Sequence, residues 1–276
     1  MHRLLSGPLK TEKITVKIAG LPASLQGKKL VQMSDFHYDG VQLSDKMLAR
    51  AIAITNQAQP DLILLTGDYI TTSTAPLHQL VKYLKNLQSR HGIYAVLGNH
   101  DLYYRTSQSE VTDTFTNIGI HVLWNQISYP LGKELPIVGL ADFYSKEFNP
   151  APIMNQLDST TPRIVLSHNP DTAEILRKWR VDLQLSGHTH GGQIVIPGVG
   201  PALMIYQKIA RKLPKKLQRF LPFFRENKSI IANWEWSQGL HHIGKNQLYV
   251  NRGLGSYLPG RLFCPPEVTI ITLQME

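Results

Sequence analysis

Two histidines stand two residues apart in Ser186-Gly187-His188-Thr189-His190-Gly191-Gly192-Gln193. Just upstream, Val181, Leu183 and Leu185 alternate with Asp182 and Gln184, the pattern of a strand with one buried face. A histidine pair leaving a strand can face one pocket, and neutral imidazole is the commonest protein metal ligand. Four other polar stretches follow apolar runs in the same way: Ser34-Asp35-Phe36-His37, Thr66-Gly67-Asp68, Gly98-Asn99-His100-Asp101 and Ser167-His168-Asn169. They contribute Asp35, His37, Asp68, Asn99 and His168 to the set begun by His188 and His190. Oxygen and imidazole donors without sulfur suit Mn, Fe, Zn or a similar divalent ion. The set is too large for one ion that keeps a position open, and it suffices for two ions sharing one carboxylate. Two ions about 3.5–4 Å apart can clamp a phosphoryl group during in-line displacement.

The elements that must position these residues alternate between strand and helix. Apolar runs at residues 13–18, 30–33, 62–65, 93–97, 122–129, 135–140, 163–166, 193–196, 248–251 and 268–273 read as strands. Helical periodicity marks residues 44–58, with Ser44 as cap, then 77–89, 107–118 and a segment reaching Trp179. This is an α/β protein, and each polar stretch falls at the C-terminal end of a strand, the edge where open α/β sheets bind ligands. No repeat or linker divides it, so a single domain is expected across residues 1–276, with an insertion at about 201–237.

The ordered series Asp-x-His, Gly-Asp, Gly-Asn-His-Asp, His and Gly-His-x-His resembles the calcineurin-like metallophosphoesterases between Leu30 and His190. The resemblance implies a four-layer sandwich of two mixed β-sheets flanked by helices. It implies that Asp35, His37, Asp68 and His190 hold one metal, and that Asp68 bridges to a second held with Asn99, His168 and His188. It places His100 against the substrate, stabilising the phosphorane or protonating the leaving oxygen. Three further stretches sharpen it: Gly191-Gly192-Gln193-Ile194, Asn251-Arg252-Gly253-Leu254-Gly255 and Pro265-Pro266-Glu267-Val268 look like the bacterial YkuE/YaeI-type phosphodiesterases. That group includes enzymes that cleave the pyrophosphate of UDP-2,3-diacylglucosamine. In the related phosphoprotein phosphatases, Gly-Asp-x-x-Asp-Arg-Gly supplies an arginine for phosphate and an aspartate that orients the Gly-Asn-His histidine. Here the text is Gly67-Asp68-Tyr69-Ile70-Thr71-Thr72-Ser73, so the arginine is missing and Thr71 stands at the orienting position. Arg252, in its glycine-rich setting, could grip a phosphate in bidentate fashion; the alternative is a structural ion pair. His78, His91 and His121 read as surface residues. His241-His242 reads as part of a late strand, with a lining role as the alternative.

The formal net charge of +9 calls for an acidic partner. Most of it lies in residues 203–228, where eight lysines and arginines face the single acid Glu226. Ile205, Ile209, Leu213 and Leu217 recur every four residues there, followed by Phe220, Leu221, Phe223 and Phe224, with Pro214 and Pro222 as breaks. Basic residues beside an apolar stripe suit an anionic membrane surface; the alternative is a packed lid. A single cysteine, Cys264, fits a reducing compartment, and neither an apolar span nor a leader is recognisable. The expectation is a cytoplasmic enzyme, peripheral at the inner membrane face, that cleaves a phosphodiester or pyrophosphate bond. A nucleic-acid or nucleotide phosphodiesterase is the alternative. A non-catalytic scaffold of the same fold would be expected to have lost ligands that are all present.

Overall fold

The computed structural model describes residues 6–104, 106–214 and 231–276. Two six-stranded mixed sheets face each other across an apolar core. The first is built from β1 (Lys10–Ile18), β2 (Lys29–Met33), β3 (Leu62–Leu65), β4 (Ile93–Ala95), β5 (Ile120–Val122) and, returning from the C-terminus, β14 (Glu267–Met275). Its order is β1-β14-β2-β3-β4-β5. The second contains β6 (Gln126–Ser128), β7 (Ile137–Gly139), β8 (Ile164–Leu166), β9 (Leu183–Ser186), β12 (Gly239–Ile243) and β13 (Asn246–Val250), in the order β12-β13-β9-β8-β7-β6. β2 through β5 run parallel, as do β7, β8 and β9. Their C-terminal ends carry the polar stretches.

Alternation within the strands makes the layers. Leu62 and Leu64 of β3 pack into the core between the sheets with Leu30, Ile164, Leu166 and Leu183. Ile63 and Leu65 pack on the other face, under α1 (Asp45–Gln57), α2 (Leu77–Leu84) and α3 (Ser107–Thr116), through Leu48, Leu80 and Phe115. Ser44 caps α1, its hydroxyl accepting from the Met47 amide at 3.3 Å. On the outer face of the second sheet, Val165 and Val138 pack with Met154 of α4 (Ala151–Met154) and Leu176 of α5 (Thr172–Leu176). The result is a helix–sheet–sheet–helix sandwich, the expected four layers.

One local expectation changes. The strand expected over residues 122–129 divides into β5 of one sheet and β6 of the other, with Asn125 at φ 51° turning the chain between them. Asparagine tolerates that left-handed conformation, and its carbonyl oxygen accepts from the Ala141 amide at 3.0 Å to fix the crossing. The strand expected at 193–196 is β10 (Val195–Ile196), paired in a short hairpin with β11 (Gly200–Pro201), and the insertion expected at about 201–237 then begins as a helix, α6 (Ala202–Lys212). Ile209 and Leu213 are exposed on it. Leu217, Phe220, Leu221, Phe223 and Phe224 of the expected stripe lie outside the described residues. The chain re-enters through Trp234, whose indole donates to Gln207 of α6 at 3.1 Å, and through the Ala232 and Asn233 amides, which donate to Asp171. No helix among the described residues is long and apolar enough to cross a membrane.

Candidate metal centre

The five strand ends converge, and the backbone there is unusual. Asp35, His37, Asp68, His188 and His190 all have positive φ, between 42° and 72°. Such conformations cost side-chain-bearing residues of order 1–3 kcal/mol each and persist only where the surroundings over-determine them. Cross-links between neighbouring strand ends supply that constraint: the Asp35 amide donates to Gly67 and the His37 amide to Asp68, each at 2.9 Å. The His188 amide donates to the Asp35 carboxylate at 2.8 Å, tying the two sheets together. Two glycines allow the close approach. A Cβ on Gly187 would lie 2.0 Å from Ser34 Oγ and 2.2 Å from Asp35 Oδ2. One on Gly98 would lie 2.2 Å from Asp68 Oδ1 and 2.7 Å from the Asp68 amide nitrogen.

The side chains then form three overlapping groups with ligand atoms close enough to share an ion: Asp35–His37–His190 and Asp68–His168–His188, with His37–Asp68–His100 between them. Asp68 Oδ2 lies 3.1 Å from His168 Nε2 and 3.5 Å from His37 Nε2, so it stands between the groups. His37 Nε2 and His190 Nε2 are 3.1 Å apart, and His188 Nδ1 and His168 Nε2 are 3.2 Å apart. The far nitrogens fix the tautomers of two rings. His190 Nδ1 faces the Gly255 carbonyl at 3.2 Å and His168 Nδ1 the Thr66 carbonyl at 2.7 Å. A carbonyl only accepts, so both Nδ1 atoms carry hydrogen and each ring turns Nε2 inward, a bare lone pair whenever the ring is neutral. Burial holds His37 down to about 3 and pushes His190 well below the usual histidine range. Burial, with the charge of Asp68 behind it, pushes Asp35 up to about 6. His168 goes the other way, to about 10: burial opposes its charge, but contact with Asp68 outweighs burial. Inward lone pairs and buried carboxylates at these separations repel unless cations lie among them. The buried Asn99 Oδ1, which has no hydrogen-bond partner among the described residues, completes the oxygen set. The residues present therefore fit divalent metal.

Residues 28–192 match the calcineurin-like phosphoesterase family. The chain belongs to that family. Relatives include the phosphodiesterase YaeI of Escherichia coli, 34% identical with 89% of this chain and 82% of that protein covered. The UDP-2,3-diacylglucosamine pyrophosphatase LpxG of Chlamydia muridarum is 29% identical over 97% of this chain and 90% of its own. The metallophosphoesterase YkuE of Bacillus subtilis is 31% identical over 96% and 86%. A Thermus thermophilus protein, TT1561, aligns structurally with a TM-score of 0.43 at 13% identity, covering 59% of this chain and 82% of that one. As a calcineurin-like phosphoesterase the chain is a metal-dependent hydrolase of phosphoric esters.

Sequence reasoning missed much of what supports this phosphoesterase centre. Asp101 is fully buried, and its carboxylate accepts from the amides of Asp68, Tyr69, Ile70 and Gly98. It thereby sets the loop that carries Asp68. Burial, then the charge of Asp68, pushes Asp101 up to about 7. Tyr257 places its hydroxyl 2.9 Å from His37 Nδ1. Arg261 donates to the carbonyls of Arg252, Gly253, Gly255 and His190, gathering the loop behind His190. Only the glycine-rich text around residue 253 hinted at a loop there; nothing in spacing singled out Tyr257 or Arg261. His100, expected against the substrate, lies beside the candidate ligands. Its Nδ1 donates to the Thr71 carbonyl at 2.6 Å, so backbone at position 71 replaces the carboxylate that Thr71 lacks. The ring lines a cavity of about 650 Å³ with Asp68, Asn99, His188 and His190, walled by Tyr144, Leu203, Trp234 and Tyr257.

Arg252 is in the ion-pair arrangement instead of the phosphate grip. Its Nη2 lies 2.7 Å from Glu12 and its Nε 2.9 Å from the buried Glu267. Two carboxylates neutralise the guanidinium, and the side chain is mostly buried between β1 and β14. His78, His91 and His121 are exposed, and His241 Nε2 bonds the Gln238 carbonyl on β12.

Gly98→Ala tests the close approach. The added methyl must displace Asp68, so metal affinity should fall by about 10–100-fold, the scale for disturbing a ligand's support, with far-UV circular dichroism unchanged. Isothermal titration of the metal-free protein measures this, and wild-type affinity in the variant would contradict the geometry.

Proposed function

We propose that this chain is a binuclear-metal phosphoesterase that cleaves a diester or pyrophosphate, with a lipid-linked nucleotide sugar such as a UDP-diacylglucosamine-like molecule as the favoured substrate class. The observation that carries the reading is the coincidence of two ligand groups joined at Asp68 with an apolar-walled cavity beside His100. Asp35, His37 and His190 would hold one ion, Asn99, His168 and His188 the other, and Asp68 both. Two such ions supply a nucleophile at neutral pH and neutralise charge on the transferring phosphoryl group. Manganese is the ion we favour first for this oxygen and imidazole set, with iron and zinc next.

The chain's own residues do the rest. The Thr71 carbonyl fixes His100 with Nδ1 protonated, so the opposite nitrogen is the one free to serve the substrate. There it donates a hydrogen bond to a phosphoryl oxygen or a proton to the leaving oxygen. Tyr257 holds His37 from behind, and Leu203 and Trp234 exclude water from one wall. The missing arginine after Gly67-Asp68 and the LpxG relationship support a diester or pyrophosphate over a phosphoprotein. An activity on nucleic acid or nucleotides is the second reading, with Tyr144 and Trp234 as the rings a base could stack on.

Bis-p-nitrophenyl phosphate should be hydrolysed with Mn²⁺ and not in the presence of EDTA, and phosphopeptides should be poor substrates. Phosphopeptides turning over far faster than any diester would overturn the substrate class. His100→Ala should keep its metal content and lose roughly 10²-fold or more in rate. The loss should be larger for a poor leaving group than for p-nitrophenol; equal losses would rule out the proton-donor role.

A further inference from the structure

The mouth of the cavity is bordered by side chains that a water-facing surface has no use for. Gln193 organises them. Its carbonyl accepts from the Leu262 amide at 2.9 Å, and its side-chain oxygen accepts from the Tyr257 amide at 2.7 Å. The next residues continue the pairing, with Val195 donating to the Leu262 carbonyl at 3.0 Å. The β10–β11 hairpin and the loop at residues 257–263 therefore form one ledge, and Gln193 and Tyr257 line the cavity itself. From that ledge Leu258 is 80% exposed, Phe263 68%, Val199 58% and Leu262 54%. Phe263 is held at φ 55°, a conformation unfavourable for a bulky side chain. Helix α6 extends the ledge: Val199 borders a groove shared with Ile205, Lys208, Ile209 and Lys212.

Charge complementarity identifies the occupant. Residues 192–214 and 254–266 contain no aspartate or glutamate, while Lys208 and Lys212 are exposed on α6. Large apolar tips flanked by two lysines on α6 and free of acid fit the boundary of an anionic bilayer, where side chains enter the acyl region and lysines meet the headgroups. A protein partner would be expected to meet a mixed polar rim instead. We infer that the ledge formed by residues 195–201 and 257–263, extended by α6, docks the enzyme on an anionic lipid surface with the mouth of the metal cavity against the membrane. This deepens the proposed phosphoesterase function, on which it rests, by naming the surface from which substrate enters. Phe223 and Phe224, on the apolar stripe expected to meet a membrane, lie outside the described residues.

The test is co-sedimentation of the full chain with vesicles of phosphatidylglycerol and phosphatidylcholine, against phosphatidylcholine alone, across a salt series. Each arm is paired with hydrolysis of soluble bis-p-nitrophenyl phosphate. Wild type should bind the anionic vesicles preferentially, and less as salt rises. Leu258→Ser with Phe263→Ser should lower the vesicle partition coefficient by about tenfold or more, since each apolar side chain withdrawn from lipid forfeits roughly a factor of ten. Soluble-diester turnover should stay within about twofold. Lys208→Glu with Lys212→Glu should weaken binding to anionic vesicles only, which keeps the proposal testable if the first pair misfolds. Wild type failing to bind anionic vesicles, both pairs binding as wild type does, or the ledge mediating a dimer that vesicles do not dissociate would overturn the docking surface. Loss of soluble-diester turnover in wild type would strike the phosphoesterase reading and leave vesicle binding untouched.

Discussion

Buried like-signed groups set the terms for this molecule. Asp35 and Asp68 lie within a shell of imidazole nitrogens 3.1 to 3.5 Å apart, at positions almost sealed from water. Buried carboxylates are costly unless paired, and inward lone pairs repel. In the metal-free chain a proton on His168, drawn there by Asp68, relieves part of the strain. Divalent cations relieve it fully, because every inward atom is a donor. Metal binding in such a site displaces protons and adds its free energy to folding.

The fold is arranged to hold that shell together. The candidate ligands come from both sheets, so the candidate metal centre is also a seam across the sandwich. Left-handed backbone at five ligand-bearing positions stores strain that amide-to-carbonyl bonds between neighbouring strand ends keep in place. Asp101 gathers four amides beneath Asp68, and Arg261 gathers five carbonyls behind His190. An acid serves one side and a base the other, each matched to the backbone groups it must satisfy. At Thr71, one of two departures from the phosphoprotein phosphatases, the backbone carbonyl accepts from His100 Nδ1 where those proteins carry an aspartate.

The ligand residues were legible because they sit in short, local words at strand ends, where type and spacing carry the signal. The four layers were expected from the family resemblance alone, because β3 and β8 are apolar on both faces and mark burial without saying which face meets which layer. What was not legible depends on contacts distant in sequence. Tyr257 reaches His37 across the whole chain, and Arg261 acts on carbonyls, which every residue has. Asp101 stood in plain sight beside Asn99 and His100, but its partners are amides that no sequence pattern marks. The 122–129 run misled because β5 and β6 are both apolar enough to pass for one strand, and only a single asparagine marks the crossing. Arg252 looked like a phosphate ligand because its two acids, Glu12 and Glu267, flank it only after β1 and β14 have paired.

Metal content of the purified chain and of Asp68→Asn, read by elemental analysis beside diester turnover, tests the central claim most directly. The account predicts two ions per chain in wild type, and in Asp68→Asn the loss of both ions or of most of the activity. Two ions with undiminished turnover in the variant, or saturation of wild type at a single ion, would contradict it.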